Sequence, residues 1–566
     1  MKKENLNKLN KIRNQIPFIL VIIIAILAGL ALLRPGYFSM HDDVQVMRLY
    51  EMERCFQDGQ IPCRWVPDMG AGYGHPIYNY HPVFPYYLGM VFRLLGMNFL
   101  DVAKILFFLS FLLSGIFMYL LTKEFFGKWA GMVAGVFYVL APYHAVDVYV
   151  RGALTESWAI VFFPLILWGI YKFVKTGKFS FFLTSLFSLT FLFLSHNIMA
   201  LLFVPIAFVW GFYWLVQTKD WKKIIPLGIV FVWAAGLAAF FILPAFFEKS
   251  LVTIEMHTSG YYDFRHHFAT VRQLFLDRSW GYGPSRLGPD DDLAFQIGWP
   301  HWWLVIITGG IFLYLWWQRK RKLSWSLVFF FFLFAITVFM THAKSVFIWE
   351  AIPLLSFVQF PWRFLALAMF ASSFLVGGLV AFSEKKRSQL FLSLVLILLV
   401  LVLNLDYFHP EEYYSPLTDQ EKLSGEEWRL QSMATLSDYV PKQVEKIPTD
   451  LAPTEPWVIA GEAKVRDFNK RSNFWRFTID VIGDQNSIVE VPVFDFPNWE
   501  IFVDSEKVNH QVNPETGLIQ VEVPVNKRTV TGWFRNTRLR GIANAISLLS
   551  FVCLFFVLAW QERKRN

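Results

Sequence analysis

Long apolar blocks separated by short polar joints make up most of the chain. A helix rises about 1.5 Å per residue, so a membrane span needs roughly 20 predominantly apolar residues. Twelve segments approach that length: 16–33, 102–122, 126–142, 156–173, 180–195, 197–216, 224–246, 300–317, 324–341, 362–383, 388–405 and 541–560. Such blocks predict lipid-facing helices, not a single water-excluded core. A further apolar stretch, Pro82 to Met97, holds Arg93 inside it, and counting it as a span would invert every later loop. It is expected to be a re-entrant or interfacial helix. The pattern changes near the C-terminus. From Trp457 to Arg535 short runs alternate, as in Phe474-Trp475-Arg476-Phe477-Thr478-Ile479 and Ile519-Gln520-Val521-Glu522-Val523. Turn residues separate them (Gly483-Asp484, Asn513-Pro514), which predicts a small β-sandwich.

Composition agrees with this layout. Of 566 residues, 55% are hydrophobic and 17% charged, below the quarter or so expected of a soluble chain. The net charge of +8 does not call for a nucleic acid, because the cations sit in the joints. The basic joints are Lys123/Lys128, Lys172/Lys175/Lys178, Lys219/Lys222/Lys223, Arg319/Lys320/Arg321/Lys322, Lys385/Lys386/Arg387 and Arg563/Lys564/Arg565. Threaded alternately from a cytoplasmic N-terminus, all fall inside, as the positive-inside rule requires. Met1 to Gln15 is lysine-rich and no small-residue cleavage site follows the first span, so 16–33 reads as an uncleaved signal anchor.

Both termini are then cytoplasmic, and the outside owns 34–101, 143–156, 247–300 and 406–540. The expected domains are a transmembrane region over 1–405, an extracytoplasmic domain over 406–540 that is β-rich from about 457, and a final helix with a basic tail over 541–566. Cys55 and Cys63 share an outer loop where a disulfide could survive, though spacing alone does not pair them.

The outer pieces carry the candidate chemistry. His41-Asp42-Asp43 directly follows the first span. In a loop, one carboxylate can serve as a base while its neighbour stays protonated or holds a metal; alternatively, the acids cap the helix that follows. The stretch from Gly70 to Pro82 offers Tyr78, Asn79 and His81 as hydrogen-bonding edges and flat rings suited to a sugar or headgroup. In the third stretch, His144, Asp147 and Arg151 precede Glu156 at the mouth of a span, a depth at which an ionisable group is a functional candidate. His196 and Asn197 occupy a sharp turn between two spans. Arg363, in Gln359-Phe360-Pro361-Trp362-Arg363-Phe364, presents a guanidinium fork suited to phosphate, or simply snorkels to water. The loop 247–300 holds Glu248, Glu255, His257, Asp263, His266, His267 and Asp290 to Asp292, without the spacing of a metal motif. A divalent cation is the one cofactor these acids raise.

The motifs HDD (41–43), YVRGALTESWA (149–159), LSHN (194–197) and QFPWRFLALA (359–368) resemble the bacterial membrane proteins labelled 6-pyruvoyl-tetrahydropterin synthase-related. The enzyme in that label does not carry over, since nothing here supplies its three-histidine zinc centre. FPNWEIFVD (496–504) and GLIQVEVPVNKRTVT (517–531) resemble the C-terminal β-domain of related proteins implicated in glycosylating cell-surface polymers. The layout also resembles GT-C glycosyltransferases, which take sugars from polyprenyl-phosphate carriers. That resemblance implies Asp42 or Asp43 as the first-loop catalytic acid, with Asp147 and Glu156 as supporting acids.

The expectation is a polytopic α-helical, GT-C-like membrane protein of about twelve helices. It would transfer sugar from a polyprenyl-phosphate donor to a cell-envelope glycan or polymer, with inversion, at the outer face of the bilayer. Asp42, Asp43 and Glu156 form the catalytic set; His41, Tyr78, Asn79, His81, His144, Asp147, Arg151, His196, Asn197 and Arg363 form the binding set. The alternatives are a transporter or flippase of lipid-linked glycans, which would need polar mid-span residues, and a non-catalytic envelope-assembly scaffold.

Overall fold

The computed structural model describes residues 2–254, 258–287, 290–319 and 325–563. Glu255, His257, Lys320, Arg321, Lys322, Lys564 and Arg565 lie outside the described residues. The chain forms two compact units from interleaved segments. One comprises Met1–Asp42, Lys104–Phe231 and His257–Pro416; the other comprises Asp43–Ala103, Val232–Met256 and Leu417–Asn566. The first boundary between the units falls between Asp42 and Asp43.

The first unit is a helical bundle around Leu365–Val380, a helix buried along its whole length. Ala366, Ala368, Ala371, Ser372, Ser373, Gly377 and Gly378 keep its surface thin, so neighbouring helices approach closely. A Cβ on Gly377 would stand 2.8 Å from the Ala130 carbonyl oxygen. Lys128–Val139, Trp299–Trp317 and Trp325–Met340 pack against it.

Among the described residues, six helices are long and apolar enough to cross a membrane, and up to nine spans result if each of three bent pairs counts as one. Each of the twelve expected apolar segments contains a helix or a bent helix pair. Lys128–Val139 and Pro142–Val150 meet at 47° because Pro142 forces Ala141 into extended backbone (ψ 136°). Trp221–Leu237 bends by 74° into Ala239–Phe247, and Trp325–Met340 by 95° into Ala343–Ala351. Asn14–Ala28 and Phe179–Ser195 are shorter apolar helices. Trp299–Trp317 is helical but lies outside the set, its Pro300, His301 and five tryptophans lowering its hydropathy. Only 28% of the apolar window of Lys386–Tyr407 is buried, so its Leu and Val side chains are left for lipid. The chain is a multi-pass membrane protein.

The second unit carries two antiparallel sheets. One has the order Trp457–Ala460, Ser487–Phe494, Leu518–Val523, Gln511–Val512. The other runs Ala463–Lys470, Phe474–Val481, Thr529–Phe534, Trp499–Val503, Glu506–Val508. Val489, Val491, Ile519 and Val521 from the first meet Trp475, Phe477, Ile501 and Val530 from the second in one core, as a sandwich requires. Pro82 to Met97 contributes Phe84–Leu94, at 11 residues too short to span, with Leu94 88% exposed. Cys55 and Cys63 form a disulfide with Cα atoms 5.5 Å apart.

Gln45–Gln57 turns Glu51 fully into this unit, and neither carboxylate oxygen has a hydrogen-bond partner. Burial pushes its pKa up to about 7, against the pull of Arg54 and Lys470, with Asp58 adding to the rise. A carboxyl with a raised folded pKa weakens the fold as pH climbs from its unfolded value of 4.5 to about 7, and by a constant amount above that. Glu51→Gln is therefore expected to stabilise the purified chain by about 3 kcal/mol at pH 8 and hardly at all at pH 4.5. Thermal unfolding in detergent at the two pH values checks this; equal shifts at both would dismiss a buried titration.

Candidate functional site

The site assembles at the mouth of Leu154–Thr176. Pro142 starts a short helix, and Val146–Val150 continues it with a wider, π-type turn that brings Asp147 and Arg151 together (2.5 Å). Gly152 (φ +63°) then reverses the chain, and a Cβ there would collide with the Met40 side chain. Leu154–Thr176 begins two residues later and holds Glu156 in its first turn.

Glu156 is fully buried, and three elements converge on it. The Tyr143 hydroxyl donates to Oε1 (2.5 Å) and Arg151 donates to Oε2 (3.0 Å). Arg363 Nε stands 3.6 Å from Oε2, and His196 Nε2 stands 3.8 Å from it. His196 Nδ1 accepts the Met199 amide hydrogen, which caps Asn197–Thr218 and leaves the neutral ring's proton on Nε2, facing the carboxylate. Arg363 is not snorkelling. Its Nη1 donates to the Val358 carbonyl (2.8 Å) and to Gln359 Oε1 (2.9 Å), while its Nε is buried without a hydrogen-bond partner. Gln359 takes a left-handed backbone (φ +66°) to do this, the kind of strain that gathers at working sites. Trp362 lies under the Arg151 guanidinium at 4.8 Å and stacks on Phe295.

Two carboxylates and two guanidiniums balance, so the cluster can persist in a low dielectric. The carboxylates are sealed, whereas the side chains of Arg151, His196 and Arg363 keep 12, 12 and 10% of their surface. What an incoming group can reach is therefore cationic. Both oxygens of Glu156, one of the expected catalytic set, accept hydrogen bonds.

The segment carrying His41 and Asp42 docks on the same turn. The His41 and Asp42 amides donate to the carbonyls of Val150 and Arg151, each at 3.0 Å. The His41 ring donates to the Tyr282 carbonyl (2.6 Å), and burial lowers its pKa, keeping it neutral near pH 7.

Other expected site residues are engaged elsewhere. Asp43 belongs to the second unit and pairs with Lys422 at 2.7 Å, which in turn pairs with Glu427. Tyr78, Asn79 and His81 also belong to that unit. Tyr78 donates to the Arg48 carbonyl, and Asn79 bridges Arg64 and Glu248, in a buried network that Arg540 closes. The His81 ring meets the Tyr86 hydroxyl. These bonds tie the fold together and leave these three little to offer a ligand. His144 packs among Phe111 and Tyr138 with its ring on the Tyr138 carbonyl, away from the carboxylates, and Asn197 is exposed at its helix start. Tyr143 and Trp362 escaped the sequence reading as site residues because each is also ordinary for a helix end at a bilayer interface. Among the described residues, no group of three or more His, Cys, Asp or Glu could hold a metal ion.

Residues 75–246 match the family model of the dolichyl-phosphate-mannose-protein mannosyltransferases. The matched segment takes in Tyr143, Asp147, Arg151, Glu156 and His196, and leaves out Asp42 and Arg363. An uncharacterized protein of Lactococcus lactis is 24% identical over 237 residues, covering 40% of this chain and 39% of that protein. The match thus spans about two fifths of the length of that relative. Among solved structures, ArnT from Cupriavidus metallidurans bound to undecaprenyl phosphate aligns with a TM-score of 0.38 and 13% identity, over 68% of this chain and 63% of that one. The Archaeoglobus fulgidus oligosaccharyltransferase in its apo form aligns with a TM-score of 0.36 and 12% identity, over 76% of this chain and 59% of that one.

Proposed function

We propose that this chain is a membrane glycosyltransferase that moves a sugar from a polyprenyl-phosphate carrier to a cell-envelope glycan or polymer at the outer face of the membrane. The observation that carries this reading is the pair of guanidiniums, Arg151 and Arg363, held by one buried carboxylate in a chain whose residues 75–246 match a lipid-phosphate-mannose transferase family. A carrier lipid keeps its tail among the helices and its phosphate at their ends, where such a pair can meet it.

In the proposed reaction the Asp42 carboxylate takes the proton of an acceptor hydroxyl. That oxygen bonds to the anomeric carbon from the face opposite the phosphate, and the anomeric C–O bond to the phosphate breaks with inversion. The electron pair stays on the phosphate oxygen, where Arg151 and Arg363 stabilise the developing charge. Asp42 is partly exposed and its backbone is fixed to that of Arg151, which supports its role as the base. His196 is suited to orient the sugar, and Glu156 to position the arginines.

The test supplies cell membranes with a radiolabelled polyprenyl-phosphate hexose, with and without the protein. Label is expected to pass into envelope polymer only when the protein is present. If no label moves and the envelope glycan profile is the same with and without the protein across growth conditions, the transferase reading is overturned. Label that crosses the bilayer still attached to its carrier would instead identify a flippase.

A further inference from the structure

The four-stranded sheet of the second unit has an outward face with an unusual row across it. Register aligns Trp457 with Glu490, Glu490 with Gln520, and Gln520 with Gln511, so all four share one side of the sheet. The other side carries Val489, Val491, Ile519 and Val521 into the core. Glu490 is only 4% exposed, yet its partners are two neutral amides: Asn513 Nδ2 and Gln520 Nε2, each at 2.7 Å. Both reach the same oxygen, Oε2, and no described cation pairs with the carboxylate. A buried carboxylate without a cation is costly unless further donors satisfy it.

Two aromatic rings flank it. Trp457 lies beside it on the neighbouring strand. Tyr73, from the turn at 70–74, receives the Phe494 amide hydrogen on its carbonyl and stacks on the Phe494 ring (centroids 5.1 Å apart). Burial, and then the Glu490 charge, raise the Tyr73 phenol pKa. Both rings are partly buried against the core.

We propose that this face binds a saccharide, with the apolar side of a sugar ring on Trp457 and its hydroxyls donating to Glu490 Oε1, while Gln520 and Gln511 read further hydroxyls. Flat aromatic area, planar amides and a fixed carboxylate are the complement of a ring with one apolar face and a hydroxylated rim. A cationic peptide could sit over the rings and pair with the carboxylate, but it would leave the planar amides of Gln511 and Gln520 unused, and a lipid headgroup would not need the carboxylate. The assignment of this saccharide as the transfer acceptor rests on the function proposed above; the binding itself does not.

The test uses the full chain in nanodiscs with three soluble trisaccharides, of a hexose, an N-acetylhexosamine and a 6-deoxyhexose, followed by saturation-transfer NMR and titration. At least one is expected to bind. Glu490→Gln and Trp457→Ala should each raise its Kd tenfold or more, and Gln511→Ala, at an exposed position, about threefold. Glu522→Gln, on the same face but bonded to Asn486, should leave Kd unchanged. Unfolding midpoints identify any variant that has lost its fold, and Gln511→Ala keeps the question decidable if the buried positions do not tolerate change. Binding of none of the three, or equal binding by the folded variants, overturns the inference. If label transfer proceeds at the wild-type acceptor KM in Trp457→Ala, this face fails as acceptor site while the transferase reading stands. Saccharide binding without any transfer gives the reverse.

Discussion

Glu156→Gln is expected to cost the folded chain about 3–5 kcal/mol and to abolish sugar transfer. The carboxylate is fully buried and sits among Arg151, Arg363, His196 and Tyr143. Without its charge, two guanidiniums share a low dielectric with Asp147, paired to Arg151, as the remaining carboxylate of the set, and removing one partner of such a set leaves an uncompensated buried charge. The loss should appear as a lower unfolding midpoint in detergent. Variants that still fold should bind the donor lipid more weakly, because the arginines are no longer held for its phosphate. Adding Arg363→Gln should restore part of the stability but none of the transfer, since the second change removes the excess charge together with a phosphate contact. An unchanged midpoint and full activity in Glu156→Gln would mean that the carboxylate does not anchor the arginines.

Asp42→Asn should cut transfer by about 10²–10⁴-fold, the usual worth of a positioned base, while binding of the donor lipid stays within a factor of two or so of wild type. The amide is isosteric, and the backbone bond from residue 42 to the Arg151 carbonyl does not depend on the side chain, so the arginine pair should keep its place. Asp43→Asn serves as the internal comparison. Its carboxylate is already paired with Lys422, so its loss should weaken the fold and leave most of the rate. Rates in membranes, corrected for protein level, separate the two. If Asp43→Asn stops transfer and Asp42→Asn does not, the assignment of the base is reversed.

The extent of the helices and the alternation of the β-strands were written locally. Twenty apolar residues in a row have few other stable fates, and the alternation in Phe474–Val481 allows one face inward and one outward. The stretch 149–159, His196 and Arg363 could be singled out because polar residues at the ends of apolar blocks are conspicuous. What such reasoning could not supply was partnership. Sequence gives Glu156 an i−5 neighbour, Arg151, but says nothing of Tyr143, His196 and Arg363 reaching the same two oxygens, because those contacts depend on how four helix ends pack.

The same limit explains the two acids at 42 and 43. As adjacent letters they are interchangeable; the fold ties one to Arg151 and gives the other to Lys422. It explains Glu51 and Glu490 as well, ordinary acids in an amphipathic helix and a strand until tertiary packing buries them. Hydrophobic length and period are properties of a segment and survive translation into structure unaided. Which charges are sealed, which are paired, and which remain open to a ligand is a property of the packed whole, because desolvation depends on every neighbour at once.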